Sequence, residues 1–558
     1  MSFISGSTLG LKPSQVTRLE KFAKRRVPAN MVITHELARS LTDLSFEINR
    51  QLGLLIDRKG RLERIIVGDA RSILIPRLSG WRVGAGRLRG LRLIHTHLKD
   101  EPLSSEDLSD LALLRFDLVS TIGVDQYGLP TLMRIAYLLP PNPKNQVWEF
   151  LEPAPPSQLD LDFLVFVKSL EDEISRTLKG KRIGAENERA YLIGRVIGNE
   201  WDKNESLDEL VELVNSCGLD VVATCIQNRE SADPRYLVGR GKLKEIVIDA
   251  LQKGADVLVF DTELTAAQVK AISEFTEIKV LDRSQIILDI FAQRAKSSEG
   301  KLQVELAQLR YALPKLSEKD DALSRLTGGI GGRGPGETRL EIDRRRIRSR
   351  IGFLERQIVQ VGKARLIRRS LRSRRKVPIV SIVGYTNAGK STLMNNLTRS
   401  KVLVEDKLFA TLDPTSRRLR FPRETQVIIT DTVGFIKDLP ETLVKAFAAT
   451  LDELADADLL LHVIDSANPN VENQLEAVES LLDRLSLSDK TIIRVFNKID
   501  LADAEVVSNL CASYKGLALS ALDSRTFHRL IERVEDEILK RLELELDNKD
   551  ADTVASGA

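Results

Sequence analysis

Cysteine is scarce in this chain: Cys217, Cys225 and Cys511 are the only three in 558 residues. They have neither the number a disulfide framework needs nor the spacing of a pair motif, which suits a reducing compartment. No apolar run approaches the roughly eighteen residues of a bilayer span, and the N-terminus lacks the apolar core of a secretory leader. Neither membrane nor export is therefore expected, and the cytoplasm is the default location. A dominant charge of one sign is missing as well, since 83 basic against 80 acidic residues leave a net of +3. That balance conceals an uneven distribution: residues 344–376 hold fourteen Arg or Lys and one acid, Glu355. The length is too great for one ordinary core and predicts three or four domains, while 42% hydrophobic and 29% charged residues match a globular protein.

The densest chemistry lies in the last third. "VPIVSIVGYTNAGKSTLMNNL" is a β-branched run, a Gly-bounded loop and a helical pattern, the context a phosphate-binding loop requires. Gly384, Gly389, Lys390 and Ser391 have the spacing of that loop. The nucleotide phosphates are expected against Gly384, Tyr385, Thr386, Asn387, Ala388, Gly389, Lys390, Ser391 and Thr392. Lys390 would reach the β/γ oxygens and Ser391 would ligand Mg²⁺. Forty residues on, "VIITDTVGF" ends a strand on Asp431, placed to hold Mg²⁺ through water. Thr432, Val433 and Gly434 follow, and Gly434 can offer its N–H to a γ-phosphate. Between them "LFATLDPTSRR" puts Phe409, Ala410, Thr411, Leu412 and Asp413 on a loop whose Thr411 hydroxyl could complete the metal shell while a γ-phosphate is bound. "IIRVFNKID" supplies Asn497, Lys498, Ile499 and Asp500. The Asp500 carboxylate can accept from guanine N1 and N2, for which adenine has no matching donors. In "GLALSAL", Ser520, Ala521 and Leu522 place a backbone N–H near guanine O6. Five elements in this order predict a P-loop GTPase that turns GTP into GDP and phosphate, with Lys390, Ser391, Thr411 and Gly434 as its catalytic set.

Two positions depart from the usual pattern. Phe435 follows the Asp431-to-Gly434 motif where many GTPases have a water-orienting Gln, so slow intrinsic hydrolysis with outside acceleration is expected. Asn387 stands where it could help hold K⁺ against the phosphates, or where Asn simply tolerates a left-handed turn.

Upstream, Leu302, Leu306, Leu309, Leu313 and Leu316 match Ile347, Ile351, Leu354, Ile358 and Val361 in heptad-like steps, predicting an antiparallel helical hairpin. Fourteen bases on its second helix and exit would repel one another without a polyanionic partner, which favours nucleic acid over a solvated face. The connector "TGGIGGRGPGETRLE" contains a G-x-G-x-x-G, yet the polar "EKDDALSRLT" before it is no buried strand, so a dinucleotide turn is excluded. It reads as a loop tip carrying Arg333 and Arg339, suited to close approach to RNA or serving as a mere flexible connector. Residues 186–295 alternate short apolar runs with amphipathic helices, predicting a small parallel α/β domain. Within it, Gly239 and Gly241 precede a helix without a phosphate-loop lysine and read as a structural turn.

"YLVGRGKLKE", "QVELAQLRYALPKL", "GGIGGRGPGETRLEIDRRRI", "GYTNAGKSTLMN" and "DTVGFIKDLP" together resemble the HflX family of translational GTPases, over about residues 186–540. The resemblance implies a GTPase associated with the ribosome, whose hairpin approaches large-subunit (50S) RNA and which splits or rescues stalled ribosomes under stress. It carries Ser391 and Thr411 to Mg²⁺, residues 431–434 to the γ-phosphate, and Asn497, Lys498 and Asp500 to guanine. The family's usual DPTTR loop has Ser416 here, which leaves Thr411 in place. A monomer is expected. The competing class is a GTPase of ribosome assembly or RNA modification.

The expected organisation is α/β and multidomain. Residues 1–40 form an N-terminal extension, 41–150 an α+β domain, 151–185 a Pro-rich linker and 186–295 the parallel α/β domain. The hairpin covers 296–372, the GTPase 373–540 and a flexible acidic tail 541–558. In the 41–150 domain, a predicted strand hairpin is followed by a strand ending in His95-Thr96-His97, then Ser104 and Asp107. This is similar to the JAMM metalloprotease motif, which implies zinc on His95, His97 and Asp107 and a water-activating Glu, for which Glu47 is the candidate. One residue fewer than usual separates His97 from Ser104. Fold retention without active metal and a GTP-regulated zinc peptidase are the two outcomes this leaves open.

Overall fold

The computed structural model describes residues 3–76, 78, 87–182, 187–196, 200–228, 231–317, 339–373, 377–398, 409, 415–432, 434–436 and 454–555. They divide into two compact units, one of residues 1–204, 218–260 and 271–281, the other of 205–217, 261–270 and 282–558.

The first unit opens with β1 (Ile4–Gly6), α1 (Pro13–Phe22), α2 (His35–Ile48), β2 (Leu52–Asp57), β3 (Leu62–Val67), β4 (Leu91–His97), α3 (Ser105–Leu114), β5 (Leu118–Val124), β6 (Pro130–Leu138), β7 (Trp148–Phe150) and α4 (Phe163–Arg182). The strands form one mixed sheet in the order β1-β3-β2-β4-β5-β6-β7. Strands β2, β4 and β5 are buried at every residue, including the polar Arg92, His95 and His97 of β4. The expected strand hairpin is β2 and β3, antiparallel. The expected separate extension is part of this domain: β1 pairs in parallel with β3, and Leu19 and Phe22 of α1 enter the shared core.

The linker reading of 151–185 is corrected. Twenty of those residues form α4, which buries Phe163, Val167, Leu170 and Ile174 against the sheet. Their steps of four, three and four are a helical seam, overlooked because prolines crowd the preceding stretch. Polar contacts fix the helix too. Arg58 bridges the fully buried Asp117 at 2.7 Å and Glu171 of α4 at 2.9 Å. Burial raises the Asp117 pKa and Arg58 opposes it. The guanidinium of Arg92, also fully buried, lies over the Phe163 ring at 4.2 Å and donates to the carbonyls of Val32 and Asp57.

The following elements alternate as expected: β8 (Arg189–Val196), α5 (Glu200–Ser216), β9 (Asp220–Asn228), α6 (Arg240–Gln252), β10 (Val257–Phe260), α7 (Ala266–Phe275), β11 (Lys279–Asp282) and α8 (Arg283–Arg294). The strands make a four-stranded sheet, β11-β10-β8-β9, with β10 and β9 both parallel to β8.

In the second unit, α9 (Ser298–Ser317) and α10 (Arg339–Ser373) pack side by side. Arg344 near the start of α10 donates to Leu316 at the end of α9, so the pair is the antiparallel hairpin that the leucine and isoleucine steps predict. Leu306 and Leu354 are buried in it. Helix α9 buries a second face, Gln303, Val304, Ala307 and Tyr311, and packs on α8 as well. The Gly-rich connector as far as residue 338, with Arg333, lies outside the described residues, whereas Arg339, expected on the loop tip, is the first residue of α10.

The rest is β12 (Ile379–Val383), α11 (Lys390–Thr398), β13 (Thr415–Arg420), β14 (Gln426–Asp431), β15 (Leu459–Asp465), α12 (Val471–Arg484), β16 (Ile492–Asn497), α13 (Ala504–Tyr514), β17 (Leu517–Ala518) and α14 (His528–Ala555). The sheet order is β13-β14-β12-β15-β16-β17, parallel except for β13. Because the stretch expected as a flexible tail lies mostly within α14, that expectation is corrected: the helix continues to Ala555.

Candidate functional site

The phosphate loop is the turn between β12 and α11, and its glycines are there for space and for backbone angle. Gly384 has φ +148°, and a Cβ on it would lie 2.2 Å from the Val463 carbonyl oxygen. Gly389 has φ +92°, and a Cβ there would lie 2.2 Å from Asn497 Nδ2. Asn387, exposed between them, has φ +61°, the left-handed conformation that Asn tolerates.

Lys390 opens α11 and is buried, with Nζ donating to the Tyr385 carbonyl at 2.5 Å. Burial lowers its pKa to about 8, against a smaller opposing pull from Asp431. Ser391 Oγ donates to Asp431 Oδ2 at 2.7 Å, which joins the two expected Mg²⁺ residues at the ends of adjacent elements. Thr432 is tied to β12 through the Ile382 carbonyl at 2.6 Å. Gly434 sits so close to Lys390 that an added Cβ would come within 3.1 Å of Nζ and 2.8 Å of Thr386 Cγ2. The hydroxyl–carboxylate pair, the buried ammonium and the glycine-lined backbone fit a magnesium-bound nucleoside triphosphate.

Phe435 is buried and occupies no water-orienting position. Its N–H donates to Gly384 O at 3.1 Å and its carbonyl accepts from Thr386 N at 2.7 Å, which ties the strand exit to the phosphate loop. Phe409 is buried edge-on to Phe291, with ring centroids 4.7 Å apart. Thr411, with Ala410, Leu412, Asp413 and Val433, lies outside the described residues.

The guanine residues gather at the ends of β16 and β17. Asn497 is buried and structural: it donates to Ala388 O at 2.8 Å and accepts from Ala521 N at 2.7 Å. The Ala521 N–H is thus engaged by Asn497. Lys498 pairs with Asp465 at 2.7 Å, half-buried Ile499 follows, and Asp500 projects exposed. Ser520 is buried while Leu522 is exposed.

Sequence reasoning missed Asp465, which its register opposite Asn497 could have revealed. It also missed Asn396, whose amide donates to the Ala521 carbonyl at 2.6 Å. His462 is fully buried near Lys390, and burial pushes its pKa down to about 3, so it is a neutral packing residue.

Three family models match consecutive stretches: a GTP-binding GTPase N-terminal region over residues 204–292, a GTP-binding GTPase middle region over 294–372, and a 50S ribosome-binding GTPase over 379–498. The GTPase HflX of Caldanaerobacter subterraneus subsp. tengcongensis is 45% identical over 364 residues, 65% of this chain and 84% of that protein. The chain belongs to the HflX family of GTPases. The Lacrimispora saccharolytica HflX is 47% identical over 348 residues, 62% of this chain and 82% of its own length. The Escherichia coli HflX is 46% identical over 316 residues, 57% and 74% of the two chains. As a member of the family, the chain is a GTPase, and its family-model matches begin at residue 204, within α5. The first 203 residues precede all three matches.

Those residues hold a second cluster. His95 and His97 alternate on β4, so both rings leave the same face of the strand and stand 4.8 Å apart. Asp107 of α3 reaches them, with Oδ1 3.2 Å from His95 Nε2 and Oδ2 3.7 Å from His97 Nε2. The ligand atoms of all three lie within 4.8 Å of one another. Second contacts orient two of them: His97 Nδ1 faces the Glu101 carbonyl at 2.9 Å, and Ser104 Oγ donates to Asp107 Oδ2 at 2.7 Å. Burial works to raise the Asp107 pKa, but His95 and Ser104 outweigh it and hold the carboxyl at about 2. The Ser104–Asp107 pair also makes the capping box of α3, which by itself accounts for those two residue types.

Glu47 is corrected. Its carboxylate accepts from Gln15 at 2.9 Å and from Arg18 at 2.5 Å, both on α1, and among the described residues no Glu belongs to the histidine cluster. Held by α1, Glu47 is not presented as the water-activating residue that a peptidase needs. No helix among the described residues is long and apolar enough to cross a membrane.

Proposed function

We propose that this GTPase is a cytoplasmic monomer that acts on ribosomes, engages large-subunit RNA with its basic two-helix arm, and splits or rescues stalled particles under stress. One observation supports this most: α10, whose sequence and exit carry fourteen bases to one acid over residues 344–376, packs along α9 and is the helix that precedes, in the sequence, the strand before the phosphate loop. Within the described part of the hairpin Arg350 pairs with Glu305 at 2.7 Å and Arg346 with Asp343 at 3.7 Å, while the single acid of the stretch, Glu355, is taken by Arg310 of α9 at 2.7 Å. So basic a stretch suits phosphate contacts, which position a protein on folded RNA without reading bases.

Within the nucleotide site, Lys390 and the loop amides hold the β/γ-phosphates, Asp500 selects guanine, and Ser391, Thr411 and Asp431 hold Mg²⁺, the last through water. When bound, Mg²⁺ offsets charge on the phosphate oxygens. With Phe435 buried where many GTPases carry a water-orienting Gln, the attacking water is left to an outside group and turnover waits for the ribosome. Sedimentation of ribosomes with the full chain and a non-hydrolysable GTP analogue tests the reading. Conversion of 70S particles into subunits with wild type and not with Lys390→Ala is the expected result. Binding to one precursor subunit alone would replace it with an assembly role, and absence of any ribosomal RNA would overturn both.

A second reading concerns the N-terminal domain alone. The buried His95–His97–Asp107 cluster is a three-ligand set of the type zinc takes, and among the described residues Nδ1 of His95 lacks a hydrogen-bond partner. One equivalent of zinc in the purified full chain, lost in His97→Ala, is expected. Metal-free wild type after zinc-supplemented expression would sink it.

A further inference from the structure

Helix α8 touches both ends of the machine. Its N-cap, Asp282, is fully buried and accepts from Gln285 N at 3.0 Å and Leu264 N at 3.0 Å. The same carboxylate holds Lys315 at 2.7 Å and the Tyr311 hydroxyl, both on the arm helix α9. The next residue, Arg283, turns the other way. Its buried guanidinium pairs with Asp261 at 3.0 Å and with Glu209 of α5. The second oxygen of Glu209 accepts from the hydroxyl of Tyr385 at 2.6 Å, and Tyr385 is the phosphate-loop residue whose carbonyl takes the Lys390 ammonium. Two turns along α8, Phe291 meets Phe409, two positions before Thr411 in the sequence.

We infer that Glu209 is a positioning residue that couples the nucleotide site to the arm. Through Tyr385 on one side and Arg283–Asp282 on the other, it makes nucleotide affinity depend on whether the arm holds a structured polyanion. This rests on the arm being the RNA-binding element and adds the route by which the two sites communicate. A buried chain of charged pairs carries such a message because it is costly to break at any link: either the phosphate loop and α8 move together, or a charge is left uncompensated. Energetic coupling is reciprocal, so RNA on the arm alters nucleotide affinity by the same factor as nucleotide alters RNA affinity.

The test measures fluorescent GDP and GTP-analogue affinities of the full chain with and without purified large ribosomal subunits. The readout is the ratio of the two affinities. In wild type the subunits shift affinity by about tenfold, within the usual range for coupled sites. In Glu209→Ala the shift falls below about twofold while binding without subunits survives, and Glu209→Gln, which keeps an oxygen for Tyr385, retains a substantial part of it. A purely structural Glu209 would lower binding in both conditions and leave the ratio intact, which overturns the inference. If Glu209→Ala fails to fold, Tyr385→Phe serves, again read by the ratio alone: a full wild-type ratio there also overturns it. Were wild type to show no shift although large subunits bind, the coupling would be wrong and the ribosomal reading would stand. Were large subunits not to bind at all, both would fall.

Discussion

Asn497 holds the two halves of the nucleotide site together through Ala388: its Nδ2 donates to that phosphate-loop carbonyl at 2.8 Å while its Oδ1 accepts from Ala521 N at 2.7 Å. Replacing it by Ala strands two buried backbone groups, each costing about 1–3 kcal/mol. Asn497→Ala is therefore expected to weaken GDP and GTP alike, on the order of a hundredfold by calorimetry. An unchanged Kd would mean that the loops hold their positions without this amide.

Asp500 is expected to act on the base alone. It is exposed, and its carboxylate matches two guanine donors. An amide in its place offers one acceptor and one donor, which suits xanthine better. Asp500→Asn should lose GTP affinity and gain affinity for xanthosine triphosphate in a competition assay. Equal losses for both nucleotides would assign Asp500 to the scaffold.

What the sequence revealed and what it hid follow from locality. The phosphate loop was legible because Gly384, Gly389, Lys390 and Ser391 act through one continuous turn, and the hairpin because Leu306 and Leu354 sit in periodic seams. Helix α4 was hidden by the prolines before it, although Phe163, Val167, Leu170 and Ile174 carry the period of a packed helix. The Tyr385–Glu209 bond was out of reach: its partners are 176 residues apart, and neither has a local pattern that names the other. Glu47 shows the opposite error, a residue of suitable type claimed in fact by Arg18.

Lys390 gives the nucleotide site a pH limit. Burial sets its pKa at about 8 in the free protein, and bound phosphates favour the charged amine. Affinity is then fully present below about pH 8 and lost as pH rises through it, by up to about tenfold per unit. GDP titrations between about pH 7 and 9 should show this slope in wild type and a flat profile in Lys390→Ala. A flat wild-type profile would place the amine at its ordinary pKa.

The N-terminal domain depends on Arg58 for its one fully buried carboxylate partner, Asp117, and for its hold on Glu171 of α4. Among the described residues, Arg58→Ala leaves Asp117 the Gly90 N–H, at 2.9 Å, as its hydrogen-bond donor. Removing one member of a buried pair costs about 3 kcal/mol or more, somewhat less here because the Arg58 side chain is 32% exposed. Hydrogen exchange of the full chain should show β4, β5 and α4 opening on the order of a hundredfold more often, with the GTPase sheet unaffected. Unaltered protection of β5 would show that the pair contributes little.

Asn387 separates two accounts of the phosphate loop. Its φ of +61° explains an Asn by backbone tolerance alone, and a glycine would serve as well. Its exposed side chain also carries an amide oxygen that could ligand a monovalent cation beside the phosphates, where K⁺ would offset charge as the β/γ bond breaks. Asn387→Gly keeps the turn and removes the side-chain amide with its oxygen, so the two accounts part. GTP hydrolysis by wild type is expected to run several-fold faster in K⁺ than in Na⁺, and Asn387→Gly to show one rate in both salts with nucleotide affinity retained. Equal wild-type rates in the two salts would leave the backbone as the whole reason for this residue.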